Sequence, residues 1–494
     1  MKNCLLYMLL ISLVIFTTCS SPKNQYKEVH KDKQNHQEMH GYYLIPGRIQ
    51  GWDLQQWKEA LDCFAADSIN TIIFWIPGAF RSEKFPETWK YNTAHKNVEK
   101  DFYKELIDYS HALRIQVILG FSPFAYDGVN QYPFKHPETR GKNEDGTPIG
   151  EGGIFSFGYS LCPAIEESQQ FMFEYAKEMV DDFYPNGDGL FIESTDYGRC
   201  RCDQCKVHYY DFEFKFVKRI SDYFWGKKPN SPIVIYPHYF VGKNIATANV
   251  TGNGGNQIFD NRWSLFFTPH STDINAEESR ELMKKAQHVL YYDPSPIWGN
   301  PKQIKESSVL CKNIGMTYFP TFEGYEYLAK HMEYDNEAYV IGHQVKPFGL
   351  EWLAYGKQCY NDPLIQLNRL AYREFYKNPE LSDSSFKKLV KNEMFGTQAS
   401  ASSVDDLFYL QNAIIADRQG SYFFASPLLI PDRLFAKAKA EKWDKTRIGG
   451  YREKVKDIQD IARRHIGATD PVEIELYKIA DYIVKQWDNY KKLH

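Results

Sequence analysis

Five side chains able to give or take a proton stand where apolar runs of this chain end. Glu193 closes Asp188-Gly-Leu-Phe-Ile-Glu193, and His238 follows Ile233-Val-Ile-Tyr236-Pro237. His270 closes the run from Trp263, Asp293 the run from His288, and Glu323 the run from Met316. Short apolar runs bounded by turn formers read as buried strands. A strand that hands a carboxylate to the following loop is how a (β/α)8 barrel presents an acid at the C-terminal rim of its sheet. Taken singly, each of the five reads best as a structural polar residue or an ion-pair partner. Five at equivalent strand exits point to a shared site, because polar groups gathered there are costly unless a ligand or water satisfies them.

Two carboxyl groups across a barrel mouth suit the cleavage of an acetal. One protonates the leaving oxygen, and the other acts as base or nucleophile. Glu193 is the expected general acid. Glu323 is its expected partner, with Asp293 as the alternative because Asp293-Pro294 also reads as a turn. A separation of about 5–5.5 Å between the carboxyls implies retention, and about 6.5–9.5 Å inversion. Asp196, Tyr197, His238 and His270 are expected to hold substrate hydroxyls or a carboxylate, and Trp75 and Trp298 to stack on sugar rings. Two rival readings keep the barrel. One is a glycan-binding protein without turnover; the other is a metal-dependent hydrolase using His238, His270 and Asp293.

Cys200-Arg-Cys202-Asp-Gln-Cys205 follows the Glu193 strand closely. Three cysteines so near one another signal cross-linking or a metal more than catalysis. A structural zinc needs a fourth ligand, which His208 or Cys162 could supply. Disulfides, with Cys162 pairing to Cys200 or Cys202, are the equal alternative. Either would stiffen the loop that carries Asp196 and Tyr197. Cys63, Cys311 and Cys359 read as buried hydrophobes in helices.

The elements that must hold these groups alternate along the chain. Tyr42–Ile45, Thr71–Ile76 and Gln116–Gly120 precede the Glu193 strand, which makes eight strand candidates by Glu323. Amphipathic segments lie between them, including Asp53–Phe64, Asp101–Leu113 and Ala164–Phe183. That pattern predicts an α/β chain with a (β/α)8 barrel over residues 41–360. A long loop from Phe121 to Cys162, rich in Gly, Pro and aromatics, should overhang the active face. Residues 361–494 read as a helical region with segments Pro363–Tyr376, Ser385–Met394, Val404–Asp417, Pro431–Lys442, Arg452–His465 and Pro471–Leu493.

A chain of 494 residues leaves room for both parts. The balance of 59 basic against 63 acidic residues offers no field suited to nucleic acid. No cofactor is expected for the catalysis itself. Lys2 followed by the apolar Leu5–Phe16 reads as an export signal, too short to span a bilayer. Thr17-Thr18-Cys19 resembles the end of a bacterial lipobox, although Phe16 stands where leucine is usual. Residues 1–19 are therefore expected to be a lipoprotein signal ending at a lipidated Cys19. The polar stretch 20–40 reads as a flexible tether. Ser20-Ser-Pro-Lys23 carries no acidic run, which favours the periplasm over the cell surface.

The stretch from Asp188 to Cys205 resembles the fourth strand and loop of barrels related to family 67 and family 115 α-glucuronidases and family 20 hexosaminidases. Ser160-Leu-Cys162-Pro163, Gly349-Leu-Glu-Trp352 and Asn361-Asp-Pro363 strengthen that likeness, which runs from about Gly41 to Tyr376. The resemblance implies a glycoside hydrolase acting on an oligosaccharide or polysaccharide, with Glu193 in the position of the general acid. The adjacent Asp-Glu pair of the hexosaminidases is not matched, since Glu193 and Asp196 lie three apart.

Overall fold

The apolar runs become eight parallel strands in a computed structural model. It describes residues 39–44, 54–76, 80–90, 101–125, 128–150, 158–194, 199–236, 259–267, 285–287, 289–293, 315–318, 363–378, 380–415, 428, 431–440 and 442–493. The strands are β1 (His40–Leu44), β2 (Thr71–Trp75), β3 (Gln116–Phe121) and β4 (Gly189–Glu193). β5 (Ile233–Tyr236), β6 (Trp263–Phe267), β7 (Val289–Asp293) and β8 (Gly315–Tyr318) complete the set. Each pairs with the next, and β8 returns to β1, so the sheet curls into a ring. Helices Leu54–Ala66, Tyr103–Ala112, Glu166–Glu178 and Cys205–Lys227 follow β1 to β4. The connections after β5, β6 and β7 lie largely outside the described residues, as do 1–38 with Cys19. The expected architecture is therefore met in part: a curled parallel sheet with helices on its outside.

Alternation along each strand divides the core into two layers. Tyr42, Ile72, Phe74, Val117, Leu119, Leu190, Ile192, Ile233 and Ile235 join the helices in one continuous apolar cluster. Their alternates Tyr43, Ile73, Trp75, Ile118, Phe191, Val234 and Phe266 are equally buried but stand apart from that cluster. They fill the ring's interior, where Phe191 lies 5.1 Å from Tyr43 and 5.0 Å from Phe266 between ring centroids. Full burial of one such side chain stabilises by roughly 1.5–3 kcal/mol. Gly120 makes the space: a Cβ there would sit 3.1 Å from Ile73 Cγ2 and 3.4 Å from the Phe191 ring.

At the opposite end of the sheet Asp188 ties β4 to β3. Its Oδ2 accepts from the Val117 amide at 2.7 Å and meets His111 Nε2 at 2.8 Å. The long connection after β3 is ordered where it is described, with helical turns at Val129–Gln131, Tyr132–Lys135 and Pro137–Thr139. Bridges Arg140↔Leu161 and Lys142↔Pro148 fold it back on itself.

The helix Pro363–Lys377 begins just past the expected domain boundary yet is built into the barrel wall. Arg369 Nε donates to Asp67 Oδ2 at 2.7 Å, and Tyr376 stacks on His40 at 3.8 Å. Residues 39–494 accordingly form one unit. The helices Asp383–Met394, Ser403–Ile415, Pro431–Ala440, Lys445–Arg464 and Pro471–Leu493 complete it. Lys445–Arg464 starts about two turns earlier than the sequence pattern suggests. Asp444 caps it by accepting from the Arg447 amide at 2.7 Å, which carries the helix through Gly449-Gly450. No helix among the described residues is long and apolar enough to cross a membrane.

Candidate active site at the barrel rim

Glu193 is the last residue of β4, in register with Tyr236 of β5. It shares the inward face of Phe191, and only 9% of it is exposed. A carboxylate so placed needs a donor. Tyr43 supplies one from β1, its hydroxyl donating to Glu193 Oε2 at 2.7 Å across the interior. That is a short hydrogen bond, and it fixes which way the carboxyl group faces. The next residue is fixed as well. The Ser194 amide donates to Tyr236 O at 3.0 Å, and Ser194 Oγ donates to Glu213 Oε2 at 3.0 Å. Glu213, almost fully buried, lies on Cys205–Lys227, so this helix holds the exit of β4 from outside the ring.

Asp293 is the final residue of β7, paired in register with Thr317 of β8. Because all eight strands are parallel, its backbone and that of Glu193 reach the same rim. Glu323, Asp196, Tyr197, His238, His270 and Trp298 lie outside the described residues, and with them the separation that would set the stereochemistry. Trp75 does not fit its expected role as a sugar platform. It is 1% exposed and packs inside the ring beside Tyr43, with centroids 6.1 Å apart. An interior position on a strand end is filled by the core before it is offered to a ligand. Tyr43, Ser194 and Glu213 were not singled out in the sequence. Alternation in β1 was the available signal for Tyr43, since it places this residue on the inward face. Nothing local marks the contact of Glu213 with Ser194.

Beside the exit of β4 the four cysteines gather. Their sulfurs all lie within 4.8 Å of one another, and all four are free thiols. Cys162 Sγ stands 3.5 Å from Cys205 Sγ and 3.7 Å from Cys202 Sγ. Cys162 is thus the fourth member. His208 is exposed and turned to Asp211 at 2.8 Å. Hydrogen bonds from Cys162 and Cys205 favour the thiolate of Cys200, and the same contacts push the thiols of Cys162 and Cys205 up. Cys63 is half-buried against the outer core rather than fully enclosed.

No family model matches the chain, and no curated protein does. Solved structures do. A GH138 enzyme targeting pectin rhamnogalacturonan II matches with a TM-score of 0.51 at 10% identity, over 90% of this chain and 54% of that one. The chain therefore spans about half the length of that enzyme. A mutant O-GlcNAc hydrolase of Thermobaculum terrenum matches at 0.47 and 13% identity, over 91% and 81% of the two chains. A chitobiase of Flavobacterium johnsoniae matches at 0.42 and 10% identity, over 90% and 70%. At 10% identity the likeness to the GH138 enzyme speaks for the fold alone.

Proposed function

We propose that this protein is a glycoside hydrolase cleaving a glycosidic bond in a complex glycan, with Glu193 as its general acid. One observation carries the reading: a largely buried carboxylate ends β4 on the inner face of a barrel and is gripped there by Tyr43. The fold shared with the GH138 enzyme supports it. In the reaction Glu193 gives its proton to the glycosidic oxygen as the bond to the anomeric carbon breaks. A second carboxylate, Glu323 first and Asp293 otherwise, activates a water or attacks that carbon itself. Water ends up divided between the two products, and Glu193 recovers a proton. Tyr43 orients the acid, and Ser194 with Glu213 fixes the backbone beneath it. Asp196, Tyr197, His238, His270 and Trp298 are proposed to line the substrate cleft. Export and anchoring through a lipidated Cys19, facing the periplasm, complete the reading; Cys19→Ala should then move the protein from the membrane to the soluble fraction.

The decisive experiment compares wild type with Glu193→Gln on a panel of oligosaccharides, pectic and N-acetylated ones included. Binding kept with turnover lost supports the acid role. Unchanged turnover in the variant overturns it. Binding without turnover by either protein indicates a glycan-binding lipoprotein. Turnover abolished by a mild chelator and restored by added metal, with any metal at the cysteines retained throughout, indicates a metal-dependent hydrolase built on His238, His270 and Asp293.

A further inference from the structure

We propose that Cys162, Cys200, Cys202 and Cys205 hold one zinc ion as a structural tetrathiolate centre that fastens three separate segments around the exit of β4. The inference is independent of the hydrolase reading. Its first support is geometric. Zinc–sulfur bonds of about 2.3 Å in a tetrahedron set the sulfurs about 3.8 Å apart. The sulfur separations of 3.5 and 3.7 Å approach that value. They are far beyond the roughly 2.05 Å of a disulfide. The fourth sulfur belongs to the same group, since no pair exceeds 4.8 Å.

The surroundings suit thiolates. The Lys142 amide donates to Cys200 Sγ at 3.3 Å, and the Cys202 amide also bonds that sulfur. The Ala164 amide bonds Cys162. Backbone N–H groups aimed at sulfur offset the negative charge that four thiolates leave on the centre after binding a divalent ion. Three of the cysteines are buried, while Cys202 is half-buried and offers the way in.

The ligands come from separate places along the chain. Cys162 ends the long connection after β3, Cys200 and Cys202 lie on the loop after β4, and Cys205 opens the helix Cys205–Lys227. That helix breaks regular geometry at His208 (φ −118°, ψ 18°), which leaves Cys205 on a first turn set apart from the rest. Arg201 N donates to Lys142 O at 2.6 Å, bringing the two loops into contact at the cluster. Four sulfurs saturate a tetrahedral zinc and leave no position for substrate or water, so the role is structural. Binding releases whatever protons the four sulfurs still carry.

The test uses the whole chain, purified without added metal. Elemental analysis should find about one zinc per chain, kept through dialysis against a mild chelator and released when an organomercurial titrates the cluster thiols. Cobalt replacing the zinc should show the strong sulfur-to-metal absorption of a tetrathiolate site. Cys202→Ser, at the most open position, should lower retained zinc by at least about tenfold with its helical circular dichroism intact. Cys63→Ser should retain zinc as wild type does. Should Cys202→Ser fail to fold, the stoichiometry and cobalt spectrum of the wild type decide alone. A disulfide among the four in the unreduced protein, found by alkylation and peptide mass, overturns the proposal. So does fully reduced protein that takes up neither zinc nor cobalt, or that retains iron instead.

Discussion

Replacing His40 by phenylalanine separates packing from protonation where β1 meets the helix Pro363–Lys377. The His40 ring is 3% exposed, stacks on Tyr376 at 3.8 Å and tilts against Tyr372 at 4.5 Å. Its Nδ1 lies 3.3 Å from Ser68 O, and its buried Nε2 has no hydrogen-bond partner among the described residues. The Nδ1–H tautomer satisfies Ser68, so a second proton must go to Nε2, where nothing accepts it. Burial accordingly lowers the pKa from 6.5 to about 4, with a smaller push from Lys377 and an opposing pull from Ser68. Between those values the unfolded chain holds a proton that the folded chain refuses. Stability therefore falls as pH drops through about 6.5, and this contribution is exhausted near pH 4. At about 1.4 kcal/mol per pH interval, the loss is capped at about 3 kcal/mol. Phenylalanine preserves the stack and forfeits a long hydrogen bond of about 0.5–1 kcal/mol. His40→Phe should be slightly less stable than wild type at pH 7 and roughly 2 kcal/mol more stable at pH 4. Urea unfolding of both proteins at each pH measures the difference, and terms common to the two cancel. Parallel pH profiles, or a His40 ring that titrates near 6.5 by NMR in the folded protein, would refute the reasoning.

Three further substitutions probe the frame and the site. Arg369→Leu strands Asp67, which Arg369 holds at 2.5 Å and Arg373 only at 3.6 Å. The partial cover by Arg373 sets the expected cost at the lower end for a broken buried pair, about 3 kcal/mol by denaturant titration, and a loss under about 1 kcal/mol contradicts it. Gly189→Ala would put a Cβ 2.3 Å from Pro232 O, forcing β4 from β5; a lowered melting temperature or insolubility is expected, while Gly226→Ala, with open space around it, should be tolerated. Tyr43→Phe removes the donor to Glu193 and should reduce kcat by up to about tenfold, matching a hydrogen bond of about 0.5–1.5 kcal/mol, with little change in melting; undiminished turnover removes Tyr43 from the mechanism.

The strands were legible because each is a short apolar run closed by a turn, too short for a typical helix and rich in β-branched and aromatic residues. Glu193 was legible for the same reason, as a charged residue ending a run that is otherwise uncharged after Asp188. The cluster was half legible. Spacing announced Cys200, Cys202 and Cys205, but the choice of Cys162 over His208 depends on two loops meeting, which spacing does not encode. Trp75 misled because an aromatic at a strand end looks alike whether it caps a pocket or fills a barrel. The early start of Lys445–Arg464 was hidden by Gly449-Gly450, whose poor helix propensity is outweighed by the Asp444 cap and by tertiary packing. Contacts such as Arg369 with Asp67, or Tyr376 on His40, join residues hundreds of positions apart and leave no local trace.

The partnership of β1 with β8 also dictates when the molecule can finish itself. His40 pairs with Gly315 and Tyr43 with Tyr318, so a growing chain presents a bare strand edge until that point has emerged from the ribosome. His40, at the start of β1, waits longer still for Tyr372 and Tyr376, which arrive with the helix ending at Lys377. Non-local closure of this kind is slow. A truncation upstream of Gly315 therefore leaves the ring open, with strand edges prone to pairing with those of other chains.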